Sequence, residues 1–124
     1  MKRIVVTGGS GRLGVKVIDE LVARGLDVLS VDLNRPETPK CPFLPADLTD
    51  AAVVHDVLAG ADGVIHLGAI PGPTSQTQPV TFQNNVMSTW NVAHAAATLG
   101  LRRLVFASTV FTLGWHESAN AFWP

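Results

Sequence analysis

The chain has 124 residues, 47% of them hydrophobic and 15% charged, which fits one folded domain and excludes an intrinsically disordered segment. Nine Lys and Arg against ten Asp and Glu leave a formal charge of -1, so there is no electrostatic footprint for a nucleic-acid backbone or an anionic membrane. Tyrosine is absent, the lysines are Lys2, Lys16 and Lys40, and Cys41 is the sole cysteine, so no tyrosine proton donor and no intrachain disulfide are available within these residues.

Arg3 to Thr7 is a short β-branched run without polar alternation, the pattern of a central parallel strand buried on both faces. After a glycine-rich turn, Leu13, Val17, Ile18, Leu21 and Val22 recur at helical spacing until Gly25 supplies a stop. Leu26 to Val31, closed by Asp32, predicts a second strand. Asn34 to Pro45 then holds four prolines and reads as an irregular connection with a short third strand near Phe43-Leu44. Thr49 or Asp50 can cap a helix carrying Val53, Val54, Val57 and Leu58, which Gly60 ends. Asp62 to Leu67 predicts a fourth strand, and the prolines of Gly68-Ala69-Ile70-Pro71-Gly72-Pro73 force the chain out of the sheet. A long helix from about Pro79 to Leu99 is expected to present Val86, Trp90, Ala93 and Ala97 on one face, with Trp90 in the packing. Arg103 to Ala107 reads as a fifth strand, and the residues from there to Pro124 form an aperiodic tail.

Strands alternating with helices predict an α/β, Rossmann-like doubly wound parallel sheet in the order 3-2-1-4-5, as one domain over 1–124 with an irregular tail at 109–124. No apolar run approaches the roughly 20 residues that span a bilayer. Ile4-Val5-Val6, which follows the basic Met1-Lys2-Arg3, is too short for a signal-peptide core. A cytoplasmic protein without membrane contact is the resulting expectation.

The chemistry is concentrated in Thr7-Gly8-Gly9-Ser10-Gly11-Arg12-Leu13-Gly14, directly after a strand and opening a helix. Glycines at 8, 11 and 14 let a pyrophosphate approach the backbone and the helix amides, and they let helix and strand pack closely. The motif lacks the Gly-Lys-Ser/Thr ending of a P-loop. Gly8, Gly11, Arg12, Leu13 and Gly14 are therefore candidate dinucleotide-binding positions. Asp32 ends the second strand at the distance along the chain where a carboxylate meets the adenosine ribose. Its charge favours NAD and repels the 2′-phosphate of NADP, although Arg35 nearby keeps NADP as the less favoured alternative. His55, His66, His94 and His116 fit no metal-ligand spacing, so no metal site is expected. They read as surface or strand-end residues, and Cys41 as an inert thiol.

Four segments extend this pattern: Ala46-Asp47-Leu48, His66-Leu67-Gly68-Ala69, Asn85-Val86-Met87-Ser88-Thr89-Trp90-Asn91-Val92 and Phe106-Ala107-Ser108-Thr109. With the glycine loop, they resemble the extended short-chain dehydrogenases, also called the NAD-dependent epimerase/dehydratase family, and most closely its sugar-acid and nucleotide-sugar oxidoreductases. The resemblance implies that Asp47 and Leu48 lie beside the adenine ring and that Leu67, Gly68 and Ala69 lie under the cofactor. It further implies that Asn85 secures a water or backbone group near the site. Thr109, with Ser108 as the neighbouring alternative, would supply the catalytic hydroxyl.

The family's Tyr-x-x-x-Lys pair has no counterpart here, since no tyrosine exists and no lysine follows Lys40. Without that pair no proton acceptor accompanies hydride transfer. The expectation is thus a truncated, catalytically incompetent cofactor-binding portion of a sugar or sugar-nucleotide oxidoreductase, epimerase or dehydratase. The alternative is a dinucleotide-binding regulatory module without catalysis. Strand five, left as an edge with Leu104, Val105 and Phe106 exposed, is expected to drive homo-oligomer formation. Trp115, Phe122 and Trp123 read as apolar surface to be covered by a further segment.

Overall fold

The computed structural model describes residues 3–72 and 76–109. The elements run β1 (Arg3–Thr7), α1 (Arg12–Ala23), β2 (Asp27–Asp32), β3 (Phe43–Pro45), α2 (Ala51–Leu58), β4 (Gly63–His66), α3 (Gln78–Thr98) and β5 (Arg103–Phe106). Among the described residues, the strands form one parallel sheet in the order β3-β2-β1-β4-β5, the Rossmann-like arrangement expected from the sequence. The tail expected at 109–124 lies outside the described residues from residue 110 on, with His116 and the aromatic residues 115, 122 and 123.

The sheet is buried in two layers because successive side chains of a strand point to opposite faces. Val5 of β1 faces one layer, with Leu29 and Val31 of β2, Val64 of β4, Val54, Val57 and Leu58 of α2, and Val92, Ala95 and Ala96 of α3. Val6, one residue on, faces the other with Val28 and Ile18 of α1. Hence α1 covers one side and α2 with α3 the other. This double cover explains why β1 and β2 read as unbroken apolar runs. Asp50 caps α2 by accepting from the amides of Ala52 and Val53 at 2.9 and 3.2 Å.

The face of α3 differs from the expected one. Trp90 is 63% exposed, Val86 is 46% exposed and Ala97 lies at the surface, while Ser88, Asn91, Val92, Ala95 and Ala96 are buried. The reason is steric and polar: small residues let α3 lie close to α2 and the sheet, and two asparagines on the inward side have specific backbone partners. Trp90 instead stacks on His94, with ring centroids 5.9 Å apart. All four residues of β5 are exposed, which matches its position at the sheet edge among the described residues.

Candidate functional site

In an open parallel sheet, ligands bind outside the carboxyl ends of the strands, where the order reverses. Here that place lies between β1 and β4, and an open cleft of about 440 Å³ begins there. It is lined by Gly8, Asp32, Leu33, Ala46, Asp47 and Leu48 on one side and by Gly68, Ala69, Ile70 and Pro71 with Val80, Asn84 and Ser88 of α3 on the other.

The glycine loop meets the cleft at Gly8. Gly8 has φ +69°, a conformation that side chains disfavour, and a Cβ there would sit 2.6 Å from the Gly68 nitrogen. The Gly11 amide closes the turn on the Gly8 carbonyl at 3.1 Å, and α1 begins with the Val15 amide on the Gly11 carbonyl at 3.0 Å. No side chain caps α1 at Gly11, so the amides of Arg12 and Leu13 stand among the orphan donors of a helix N-terminus. Gly14 is buried beneath the loop, facing the backbone of Gly8 and Gly9.

Asp32 stands beside the glycine loop, at the end of β2. Its Oδ2 accepts from the Ser10 amide at 3.0 Å and its Oδ1 from the Leu33 amide at 2.7 Å. These bonds orient the carboxylate while leaving acceptor capacity on both oxygens. The Ser10 hydroxyl donates to the Asn34 carbonyl at 2.5 Å, tying the glycine loop to the chain beyond β2. On the same side, the Ala46 amide donates to the Asp32 carbonyl at 3.0 Å, which seats the 46–48 segment next to that carboxylate. Asp47 Oδ1 accepts from the Thr49 hydroxyl at 2.7 Å and the Thr49 amide at 2.9 Å, and these bonds, the hydroxyl foremost, hold its carboxyl below the usual range.

The other wall is the segment after β4. Leu67 is fixed by its amide on the Thr7 carbonyl at 3.1 Å. Asn85 Oδ1 accepts from the Ile70 amide at 2.8 Å and its Nδ2 donates to the Ile70 carbonyl at 3.1 Å, so the side chain clamps this wall rather than facing the cleft. Ser108 and Thr109 follow β5 at the same end of the sheet, where the Ala107 amide donates to the His66 carbonyl at 3.2 Å, but neither lines the cleft.

Beneath the cleft lies His66, 3% exposed. Its Nδ1 is 2.7 Å from the Thr7 hydroxyl and its Nε2 3.2 Å from the Thr89 hydroxyl, with the ring stacked on Phe106. Burial pushes its pKa down to about 4, so the ring is neutral at physiological pH. Cys41 is half-buried and its thiol is raised by burial, in keeping with an unreactive sulfur. Among the described residues, no group of three or more His, Cys, Asp or Glu could hold a metal, and no helix is long and apolar enough to cross a membrane.

Of the sequence-predicted residues, Gly8, Asp32, Asp47, Leu48, Gly68 and Ala69 thus meet around one cleft, whereas Gly11, Arg12, Leu13 and Gly14 follow Gly8 at the start of α1 without lining it, and Leu67 and Asn85 stand behind its wall. Leu33, Ile70, Val80, Asn84 and Ser88 line the cleft without a motif to mark them, although 80, 84 and 88 share one stripe of α3 by their spacing of four.

A family model described as the NAD dependent epimerase/dehydratase family matches residues 4–121. Uronate dehydrogenase of Agrobacterium fabrum is 35% identical over 127 residues, which cover 100% of this chain and 47% of that protein. A solved uronate dehydrogenase from Agrobacterium tumefaciens, a mutant complexed with NAD, is 35% identical at a TM-score of 0.76 and is matched over 94% of this chain and 44% of its own. UDP-glucose 4-epimerase of Thermus thermophilus, in complex with NAD, is 34% identical at a TM-score of 0.77, over 86% of this chain and 37% of its own. The chain therefore spans less than half the length of each of these relatives.

Proposed function

Since the chain belongs to the NAD dependent epimerase/dehydratase family, we propose that residues 1–124 are the NAD-binding portion of an oxidoreductase or epimerase acting on a sugar or sugar nucleotide. The observation that carries this reading is a glycine turn, feeding an uncapped helix N-terminus, that meets at Gly8 a cleft which Asp32 also lines. The residues fit a dinucleotide. Apart from the Gly8 carbonyl oxygen at 3.2 Å, a Cβ at Gly11 would meet open space, so a diphosphate can approach the amides of Arg12 and Leu13. Asp32 accepts from the ribose hydroxyls and its charge selects NAD over NADP. Ala46, Asp47 and Leu48 flank the base, and Leu67, Gly68 and Ala69 support the far end of the cofactor.

NAD, when bound, supplies the hydride acceptor. The chain's own groups bind and orient it, and Thr109, or Ser108 beside it, offers a hydroxyl to a substrate oxygen at the end of β5. These 124 residues include no tyrosine, so we infer that they do not turn over substrate unaided. That same absence favours, as a second reading, a dinucleotide-binding regulatory module.

Titration with NAD should raise the melting temperature, because a ligand of the native state stabilises by mass action, by about 2.7 kcal/mol at a hundredfold excess over Kd. Folded protein with no shift at millimolar NAD would overturn the reading. In Asp32→Ala, the affinity for NAD should fall about tenfold or more and the preference over NADP should narrow, since a hydrogen bond to a charged group is lost along with the repulsion. Unchanged affinities for both cofactors would remove Asp32 from the ribose. We further propose that β5, whose Leu104, Val105 and Phe106 are exposed and which is the outer strand among the described residues, pairs with a second copy along that edge. Light scattering should then give a mass that rises with concentration, whereas a constant monomer mass would exclude that pairing.

A further inference from the structure

We propose that Asn91, buried on α3, is a positioning residue for the adenosine half of the dinucleotide, acting through Leu48; the inference rests on the NAD-binding reading above. Asn91 is 6% exposed and lines no part of the cleft. Its Nδ2 donates to two consecutive carbonyls, Leu48 at 3.0 Å and Thr49 at 2.9 Å, more than 40 residues earlier in the chain. An amide nitrogen has two hydrogens, so both carbonyls are served by one side chain. This bond pair fixes the turn from the α3 side, while Asp47 closes it locally through Thr49.

The turn's position matters because Leu48 faces the middle of the site. Its Cδ1 lies 2.7 Å from where a Cβ of Gly68 would stand, so Leu48 occupies the room that this glycine leaves open. Gly68 in turn abuts Gly8 of the diphosphate turn. The segment is also bonded to Asp32 through the Ala46 amide, which places it on the ribose side of the cleft. Asn85, six residues before Asn91 on the same helix, clamps the opposite wall at Ile70. One rigid helix therefore sets the separation of the two walls, with Asn91 governing the adenosine side.

The test measures the Kd of both NAD and AMP for the wild type, Asn91→Asp and Val92→Ala, each under conditions where circular dichroism reports folded protein. Asn91→Asp keeps the shape but replaces two donors by a carboxylate facing two carbonyl oxygens, and should weaken NAD about tenfold. The loss for AMP should be the same factor, because the defect is confined to the half that AMP contains. Val92→Ala removes a fully buried neighbour from the core, and should lower the melting temperature while leaving both affinities unchanged. Should Asn91→Asp not fold, Asn91→Ser carries the same comparison without the charge. Wild-type affinities in the Asn91 variant would overturn the inference and leave the NAD reading standing, as would a loss for NAD without one for AMP. A wild type that binds neither ligand would instead overturn the NAD reading and, with it, this inference.

Discussion

Replacing Gly14 by alanine is expected to destabilise the chain by about 3 kcal/mol and to abolish measurable NAD binding. A Cβ at Gly14 would lie 2.1 Å from the Gly8 carbonyl oxygen, 2.7 Å from Gly9 Cα and 2.9 Å from the Gly9 carbonyl carbon. All three are backbone atoms, so no flexible side-chain end can yield. Either α1 shifts away from β1 or the 8–9 turn is displaced, and both movements alter the turn proposed to hold the diphosphate. Gly11→Ala provides the contrast: its Cβ meets only the Gly8 carbonyl oxygen, at 3.2 Å, and the position has an ordinary φ of -72°. That variant should fold like the wild type and lose affinity alone, through crowding of the ligand. Urea unfolding of the two variants, followed by NAD titration, separates the effects. A Gly14→Ala protein with wild-type stability and affinity would refute the close packing of α1 on the turn.

These two glycines also explain why so much of the site was legible in the sequence. Their spacing after a β-branched run is a local signal, and the geometry it encodes, a tight turn feeding a helix, is local as well. The strand order followed similarly from apolar runs separated by helical segments. The buried face of α3 was not legible, because hydrophobicity ranks Val86 and Trp90 above Ser88 and Asn91, whereas packing selected the small and hydrogen-bonded residues. The same holds for the two clamps. The amides of Asn85 and Asn91 satisfy backbone groups 15 and 42 to 43 residues away, and periodicity contains no information about such partners. Ser108 and Thr109 mark the intermediate case: their place after β5 was predictable, but their distance from the described cleft was not.

His66 carries the second large effect, a loss of stability on acidification. In the folded chain burial pushes its pKa down to about 4, against an unfolded value of about 6.5. A proton is therefore taken up more readily by the unfolded chain, and the neutral ring's contribution is complete above pH 6.5. It is lost as pH falls from 6.5 towards 4, and no further change from this group follows below that, for a total of about 3 kcal/mol. The structural cost of the proton is specific. A neutral imidazole donates at one nitrogen and accepts at the other, whereas the cation only donates, so it must turn both the Thr7 and Thr89 hydroxyls into acceptors in a site that water does not reach. Asp47, whose carboxyl is held below the usual carboxylate range by the Thr49 hydroxyl and amide, contributes at lower pH, since its stabilisation is present above that range and fades as pH drops through the depressed pKa. Urea unfolding between pH 7.5 and 4.5, compared between the wild type and His66→Asn, thus reads the histidine. The wild type should lose about 2 to 3 kcal/mol over that range. His66→Asn, neutral throughout, should be less stable at pH 7.5 yet nearly flat down to 4.5. A wild type as flat as the variant would mean that His66 takes up its proton in the fold as readily as in the unfolded chain, and that burial between Thr7 and Thr89 imposes no penalty on the cation.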